Sequence, residues 1–186
     1  LYGREDNDTL DGGDSNDKLM GGDGDDLLLG GDGNDKLWGD AGNDTLDAQS
    51  GDDTLTGGSG NDVLGGGRGD DTYLFSAGFG QDTILYDGFS FDDDVIAFDA
   101  SIAPASVVVE TIPASSDLLL RIDGTEDRIT IAQGAIRSYV AEVRFDDGTI
   151  WTHTDLLDRA VAGVGQTVNT SDADDTIIGT GLDDVL

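Results

Sequence analysis

The stretch GGDGNDKLWGDAGNDTL, residues 30–46, states one pattern twice at a spacing of nine residues. In each copy glycine precedes an Asn-Asp pair, and a leucine stands two places after the aspartate. Asp35 and Asp44 therefore hold equivalent positions, as do Leu37 and Leu46. A fixed interval of this kind indicates a structural repeat rather than an irregular loop.

The same period extends outward from this stretch, and residues 3–74 divide without a gap into eight nonapeptides. The fifth position is always Asn or Asp, and the eighth is Leu in seven units and Tyr73 in the last. The first position is Gly in every unit except the one that begins at Ala48. The sixth position is Asp in all eight units: Asp8, Asp17, Asp26, Asp35, Asp44, Asp53, Asp62 and Asp71.

The nine positions have separate physical roles. Glycines in positions 1 to 6 supply turn conformations with positive φ, and positions 7 to 9 predict a three-residue strand whose middle side chain faces inward. Two units then complete a coil of 18 residues, and strands 18 apart stack in parallel. The sequence predicts an all-β fold, a parallel β-roll, with two inward ladders: Leu10, Leu28, Leu46 and Leu64 on one side, and Leu19, Leu37, Leu55 and Tyr73 on the other.

Charge restricts the partners. The chain has 40 acidic residues against 9 basic ones, a net charge of −31, and 36 of the 40 acids are Asp. Nucleic acid and anionic membranes are therefore poor partners, because both need a basic face that nine scattered Lys and Arg residues do not build. With no Cys in the chain, disulfides and thiolate metal sites are excluded too. No apolar stretch approaches the length of a transmembrane segment.

Stacked aspartates repel one another unless cations lie between them. A hard cation that takes six to eight oxygens from carboxylates and carbonyls suits this pattern, and Ca²⁺ fits flexible glycine loops better than Mg²⁺ does. The predicted ligands are the sixth-position aspartates together with the glycine loops. The loop glycines are Gly22, Gly24, Gly31, Gly33, Gly42, Gly51, Gly58, Gly60, Gly67 and Gly69.

The units GGDGNDKLW and GGSGNDVLG resemble the G-G-x-G-x-D-x-U-x calcium repeats of RTX (repeats-in-toxin) proteins, the haemolysin-type family of secreted bacterial proteins. The resemblance implies a right-handed β-solenoid with Ca²⁺ between like-facing turns, export by type I secretion machinery, and folding outside the cell. It also implies up to six ions, between Asp8, Asp26, Asp44 and Asp62 on one edge and between Asp17, Asp35, Asp53 and Asp71 on the other. Arg4, Asp6, Ser15, Asp40 and Gln49 depart from the repeat at positions where the family has glycine.

The period is lost after Leu74. Residues 75–169 predict a β-rich capping segment, with strands at 94–98, 107–112, 117–122, 127–131, 139–145 and 149–151 and a short helix that Thr154 caps. This segment resembles the haemolysin-type calcium-binding-related segment between RTX blocks. The triplet DDD at 92–94 is interpreted as a solvated turn rather than as a seventh metal site. FGQD at 79–82 is not a phosphate loop, because no helix follows it. The period returns in residues 170–186, with Asp175 and Asp184 as further ligands, so we expect three regions: 1–74, 75–169 and 170–186.

Two classes of function fit these patterns. The favoured one is a non-enzymatic calcium-binding module of a larger secreted protein, which folds on binding Ca²⁺ outside the cell. The alternative is an accessory module that binds a carbohydrate or another ligand for a secreted enzyme or adhesin, and spacing within an adhesin is a third possibility. Exposed aromatic side chains at Trp151, Tyr139 and Phe145 would favour ligand binding, whereas their burial would favour a cap.

Overall fold

The computed structural model of the chain describes residues 1–86, 92–112, 115–133 and 140–162. The secondary structure is almost entirely β. The strands are β1 Tyr2–Glu5, β2 Thr9–Asp14, β3 Lys18–Asp23, β4 Leu27–Asp32, β5 Lys36–Ala41, β6 Thr45–Ser50, β7 Thr54–Ser59, β8 Val63–Gly65, β9 Thr72–Phe75, β10 Gln81–Ile84, β11 Asp94–Phe98, β12 Val107–Thr111, β13 Leu118–Ile122, β14 Arg128–Ile131, β15 Val140–Phe145, β16 Ile150–Thr152 and β17 Val161–Ala162. A 3₁₀ turn at Pro104–Ser106 and one α-helix, α1 at His153–Arg159, complete the described secondary structure.

The strands form two facing sheets, and successive units alternate between them. One sheet has the order β1-β3-β5-β7-β9-β11-β15-β16, and the other has β17-β12-β13-β14-β10-β8-β6-β4-β2. Within the repeats each strand pairs in parallel with the strand 18 residues away, for example Leu28 beside Leu46 and Leu37 beside Leu55. The predicted parallel β-roll is confirmed.

The roll strands are longer than the sequence predicted. Instead of three residues, most span six, from position 7 of one unit to position 3 of the next, as in Lys36–Ala41. The prediction of three-residue strands was wrong because glycine at positions 1 and 2 does not end the ladder of backbone hydrogen bonds: Gly31 still pairs with Gln49. Positions 6 and 8 face the interior, as does position 1, which is glycine in all units but one, so the aspartates point inward together with the leucines.

The predicted apolar ladders are the core of the roll. Leu28, Leu46 and Leu64 on one side and Leu19, Leu37, Leu55 and Tyr73 on the other are at most 1% exposed. Leu10, in the first coil, is only partly buried and packs against this core. The core continues without a break into Ile84, Ile96, Ile129 and Val143 beyond the repeats.

The roll does not stop at the last repeat. The residues after position 74 continue it: β10 pairs in parallel with β8, and β11 with β9. Strands β14 and β15 then add another parallel layer, on β10 and β11. Antiparallel pairs complete the end: β12 with β13 and β13 with β14 in one sheet, and β15 with β16 in the other. Both sheets run across residue 74. The division of the chain into separate regions at this residue therefore stays a prediction.

The helix begins earlier than predicted. Thr152, not Thr154, caps α1: its hydroxyl oxygen accepts the backbone N–H of Asp155 at 3.3 Å. The Asp155 carboxylate accepts the backbone N–H of Thr152 in return, at 2.8 Å. This T-x-x-D capping box fixes the helix start. Over the described residues no helix is long and apolar enough to cross a membrane.

Candidate metal centres

The sixth-position aspartates form two hydrogen-bonded columns. The backbone N–H of each donates to Oδ1 of the aspartate one coil later, as from Asp26 to Asp44 at 2.7 Å and from Asp35 to Asp53 at 2.7 Å. All residues from Asp26 to Asp71 in these columns are at most 3% exposed. From Asp26 onward, one carboxylate oxygen of each aspartate thus holds the preceding coil in register and leaves the second oxygen for another role.

The second oxygen, Oδ2, is buried and has no hydrogen-bond partner. This holds for Asp8, Asp26, Asp35, Asp44, Asp53 and Asp62 among the predicted ligands. The ion pairs that join two described residues are made by Arg121 and Arg144, and none of them involves a sixth-position aspartate. An unpaired buried carboxylate oxygen is costly, so these oxygens require a cation that the protein itself does not supply.

First-position glycines leave space beside these oxygens. A Cβ on Gly39 would lie 2.3 Å from Oδ2 of Asp44 and 2.4 Å from the carbonyl oxygen of Gly57, one coil later. A Cβ on Gly21 would lie 2.2 Å from Oδ2 of Asp26. Carboxylate and carbonyl oxygens therefore converge where a side chain would otherwise stand. This is the donor set that Ca²⁺ prefers.

The predicted loop glycines have a different role from the first-position ones. All ten, from Gly22 to Gly69, have positive φ. They also stack closely, since a Cβ on Gly42 would lie 1.9 Å from the carbonyl oxygen of Gly24. The non-glycine residues at these positions adopt positive φ too: Arg4, Asp6, Ser15, Asp40 and Gln49. Asp40 and Gln49 take φ of 74°, close to the left-handed region that non-glycine residues visit.

The role of the fifth position was missed by sequence reasoning. Its side-chain oxygen accepts the backbone N–H of the fifth residue one coil later, as Asn16 does from Asn34 at 3.0 Å and Asn34 from Asp52 at 3.1 Å. Here the later coil donates to the earlier one, whereas in the sixth-position ladder the earlier coil donates to the later one. The signal was present, because only Asn or Asp occurs at this position and both carry the same Oδ1 acceptor.

Both columns extend past the last repeat. Asp62 donates its N–H to Oδ1 of Asp82 at 2.9 Å, and Asp71 donates to Oδ1 of Asp94 at 3.0 Å. The interpretation of residues 92–94 as a solvated turn was wrong for Asp94, which is 4% exposed. Sequence reasoning missed these two residues because their spacings are 20 and 23 rather than 18.

Burial changes the protonation of the columns. It raises the pKa of Asp44 to about 6 and that of Asp53 to about 7, above the ordinary value of 3.8, and repulsion from neighbouring carboxylates adds to the effect. Burial also raises the pKa of Asp35 and Asp62. Raised pKa values favour the cation-free roll at low pH, and this stability is lost as the pH rises through about 6 to 7. Near neutral pH a metal cation takes over the neutralising role of the protons.

The residues present fit a column of calcium sites built from two carboxylates and surrounding carbonyls. Within the described ranges no three acidic or histidine side chains converge on one point, so backbone oxygens must supply the remaining ligands. Asp175 and Asp184, the predicted ligands of a second block, lie outside the described residues, as does the rest of 170–186.

Gly39→Ala is expected to raise the calcium midpoint of folding about twofold, because the new methyl group displaces the Asp44 carboxylate at a cost of about 1–3 kcal/mol. Ala48 holds the same position in the sixth unit and is fully buried, so the roll accommodates a methyl group and the chain still folds. Gly65→Ala is the matched control, since its Cβ would meet only a carbonyl oxygen at 3.8 Å. Circular dichroism during a calcium titration measures both midpoints, and equal midpoints would show that the space beside Gly39 is not part of a site.

Comparison with known proteins identifies the repeats. A four-copy model of the RTX calcium-binding nonapeptide repeat matches residues 2–37 and 38–73. The haemolysin-type calcium binding protein related domain matches residues 117–155. No curated protein sequence matches the chain.

Solved structures with similar features include an extracellular lipase from Serratia marcescens, with 20% sequence identity and a TM-score of 0.36 over 71% of this chain. This chain spans 37% of the lipase. A solution structure of a subunit of the Azotobacter vinelandii mannuronan C5-epimerase has 27% identity and a TM-score of 0.33, with coverage of 90% of this chain and 94% of that subunit.

Proposed function

This chain belongs to the RTX family of calcium-binding nonapeptide-repeat proteins, and we propose that it is a module that folds when it binds Ca²⁺ outside the cell. In this proposal the roll is unfolded at the low calcium concentration of the cytosol, leaves the cell by type I secretion as part of a larger protein, and folds where calcium is plentiful. The proposal assigns the chain no catalytic role.

One observation carries the proposal: the buried Oδ2 atoms that lie without a partner along both columns. Most of them are next to a first-position glycine whose Cβ would fill the space beside the oxygen, as at Gly21 and Gly39. A roll with these oxygens ionised and unneutralised is strongly disfavoured. Folding therefore depends on cations, and the acidic chain with its net charge of −31 attracts them.

The linkage between calcium binding and folding gives the size of the stabilisation. At millimolar calcium and a dissociation constant near 0.1 mM, each site stabilises the folded state by about 1.4 kcal/mol. Six sites then contribute about 8 kcal/mol, which is comparable to the whole stability of a domain. Chelation of calcium would remove that contribution and unfold the roll.

The burial of the aromatic side chains favours this function over the alternative. Trp151 and Phe145 are 4% and 5% exposed, with ring centroids 4.7 Å apart. They pack in the core of the capping segment rather than on a surface that could stack on a sugar. Tyr139, the third aromatic residue of this test, lies outside the described residues.

A calcium titration tests the proposal. Far-ultraviolet circular dichroism of the full chain is expected to change from coil to β as calcium rises to the millimolar range, and to return to coil when a chelator is added. Magnesium at the same concentrations is the control and is expected to produce little β structure, because it requires a stricter octahedral geometry. A complete β spectrum in chelator would overturn the proposal.

A further inference from the structure

The loop before β10 repeats the geometry of a nonapeptide without its spacing. Gly78, Gly80 and Asp82 occupy the second, fourth and sixth positions, and the two glycines have φ of 90° and 94°. Asp82 lies 20 residues after Asp62 because the chain carries two extra residues here. Strand β10 nevertheless pairs in register with β8, with Ile84 beside Leu64. The family match ends at residue 73, so no repeat model includes this loop.

Asp82 has the same contacts as a repeat aspartate. Its Oδ1 accepts the backbone N–H of Asp62 at 2.9 Å, and its Oδ2 is buried without a hydrogen-bond partner. The residue is 1% exposed, as is Asp62, whose Oδ2 is also without a partner. Two buried carboxylates of adjacent coils therefore each present one unused oxygen at the junction between the last repeat and the capping segment.

The surroundings supply more negative charge. Asp127, which immediately precedes β14, is 7% exposed, and its two oxygens accept the N–H groups of Gly78 at 2.7 Å and Gly80 at 3.2 Å. Both carboxylate oxygens of Asp127 are therefore used to hold the loop before β10. The neighbouring Arg128 directs its guanidinium to the side chain of Gln81, at the exposed surface. Among the ion pairs of the described residues, none neutralises Asp62 or Asp82.

The column ends at Asp82. In the next strand, β14, the residue beside Asp82 is Ile129, which is fully buried. An apolar side chain at this position supplies no ligand for a further ion. Asp82 is thus the last carboxylate of its column, and it stands where the roll meets its cap.

We propose that Asp62 and Asp82 hold a further Ca²⁺ ion, outside the recognised repeats, that joins the roll to the capping segment. This inference rests on the proposed calcium-dependent folding. The carboxylate oxygens of Asp62 and Asp82 supply hard donors from both coils, and backbone oxygens or water would complete the shell. The site makes folding of the capping strands depend on calcium, although their own sequence carries no repeat.

Asp82→Asn tests the site, since asparagine keeps Oδ1 for the Asp62 N–H and replaces Oδ2 with an amide nitrogen. We expect equilibrium dialysis to count one calcium ion fewer per chain than in the parent.

In a Trp38→Phe background, the fluorescence of Trp151 reports the cap, because Trp151 is then the only tryptophan. Its calcium midpoint is expected to rise at least about twofold. Asp146→Asn, which removes the same charge from an exposed turn, is the control and should leave both values unchanged. An unchanged ion count for Asp82→Asn would overturn the site.

A second measurement needs no variant and decides the matter if Asp82→Asn does not fold. Crystals of the full chain grown with calcium should give anomalous scattering peaks between Asp26 and Asp44 and between Asp62 and Asp82. A peak at the first pair without one at the second would overturn this inference alone. Absence of both peaks would contradict the proposed function itself.

Discussion

Asp44→Ala is expected to raise the calcium concentration needed for folding at least about fivefold. Asp44 lies between Asp26 and Asp62 in its column, so its carboxylate serves the site on each side. Losing two sites removes about 2.8 kcal/mol of stabilisation at millimolar calcium. The backbone N–H of Asp26 also loses its buried acceptor, which costs about 1–3 kcal/mol more. The midpoint of the β transition in circular dichroism measures the sum.

Two further variants separate these contributions. Asp44→Asn keeps an acceptor for the Asp26 N–H but removes the charge, so its midpoint should fall between the parent and the alanine variant. Asp47→Ala removes an exposed aspartate three residues later, outside the column, and should leave the midpoint unchanged. If Asp44→Ala folded at the parental calcium concentration, the columns would not be the calcium sites.

The repeat register could be predicted from the sequence because three constraints share one period. Position 8 must fill the core, position 6 must present a carboxylate, and the loops must reach positive φ. Leu37, Asp35 and Gly33 meet these constraints in a single unit, and the structure places each as that reading requires. The predicted pairing of residues 18 apart followed directly and is confirmed.

Asp82 and Asp94 escaped prediction for a physical reason. A ladder needs strands in register, not a constant number of residues in the turn between them. The extra residues before β10 are absorbed in the turn at Ala77 and Gly78, and Ile84 still reaches the position beside Leu64. A search by period alone ends where the first insertion occurs, although the hydrogen bonds continue.

Sequence reasoning assigned the first-position glycines to turns with positive φ, and for them this was wrong. Glycine is usually attributed to positive φ, yet Gly39 and Gly57 have ordinary φ and are required for space. Only the arrangement of adjacent coils shows that Oδ2 and a carbonyl oxygen meet there. The strands are longer than predicted for a related reason, because the first-position glycines lie within the ladder of backbone hydrogen bonds between adjacent coils.

A chain that ends at residue 74 is expected to remain unfolded even in about 10 mM calcium, because the repeats depend on the strands that follow them. Removal of residues 75–186 takes away the acceptors that Asp82 and Asp94 provide for the backbone N–H groups of Asp62 and Asp71. It also exposes the edges of β8 and β9 and the apolar side chains of the last coil. Repeat arrays that lack a cap lose stability in this way.

A point variant tests the same dependence without truncation. Phe98 is 3% exposed and packs against Phe75 and Phe145, with ring centroids 6.1 and 5.3 Å away. Phe98→Ala should cost about 3–5 kcal/mol, which is transmitted to the repeats because the sheets and core are continuous. Leu74→Ala, at a side chain that is 38% exposed, is the control.

With Trp151 replaced by Phe in the full-length chains, Trp38 is the only tryptophan. It lies in the fifth strand of the roll, so its fluorescence reports the repeats themselves. We expect Phe98→Ala to raise the calcium midpoint at Trp38 severalfold, and the truncated chain to show no transition. If the chain of residues 1–74 gave the parental midpoint, the repeats would fold as an independent unit. The continuity of the core past residue 74 would then have no role in calcium-dependent folding.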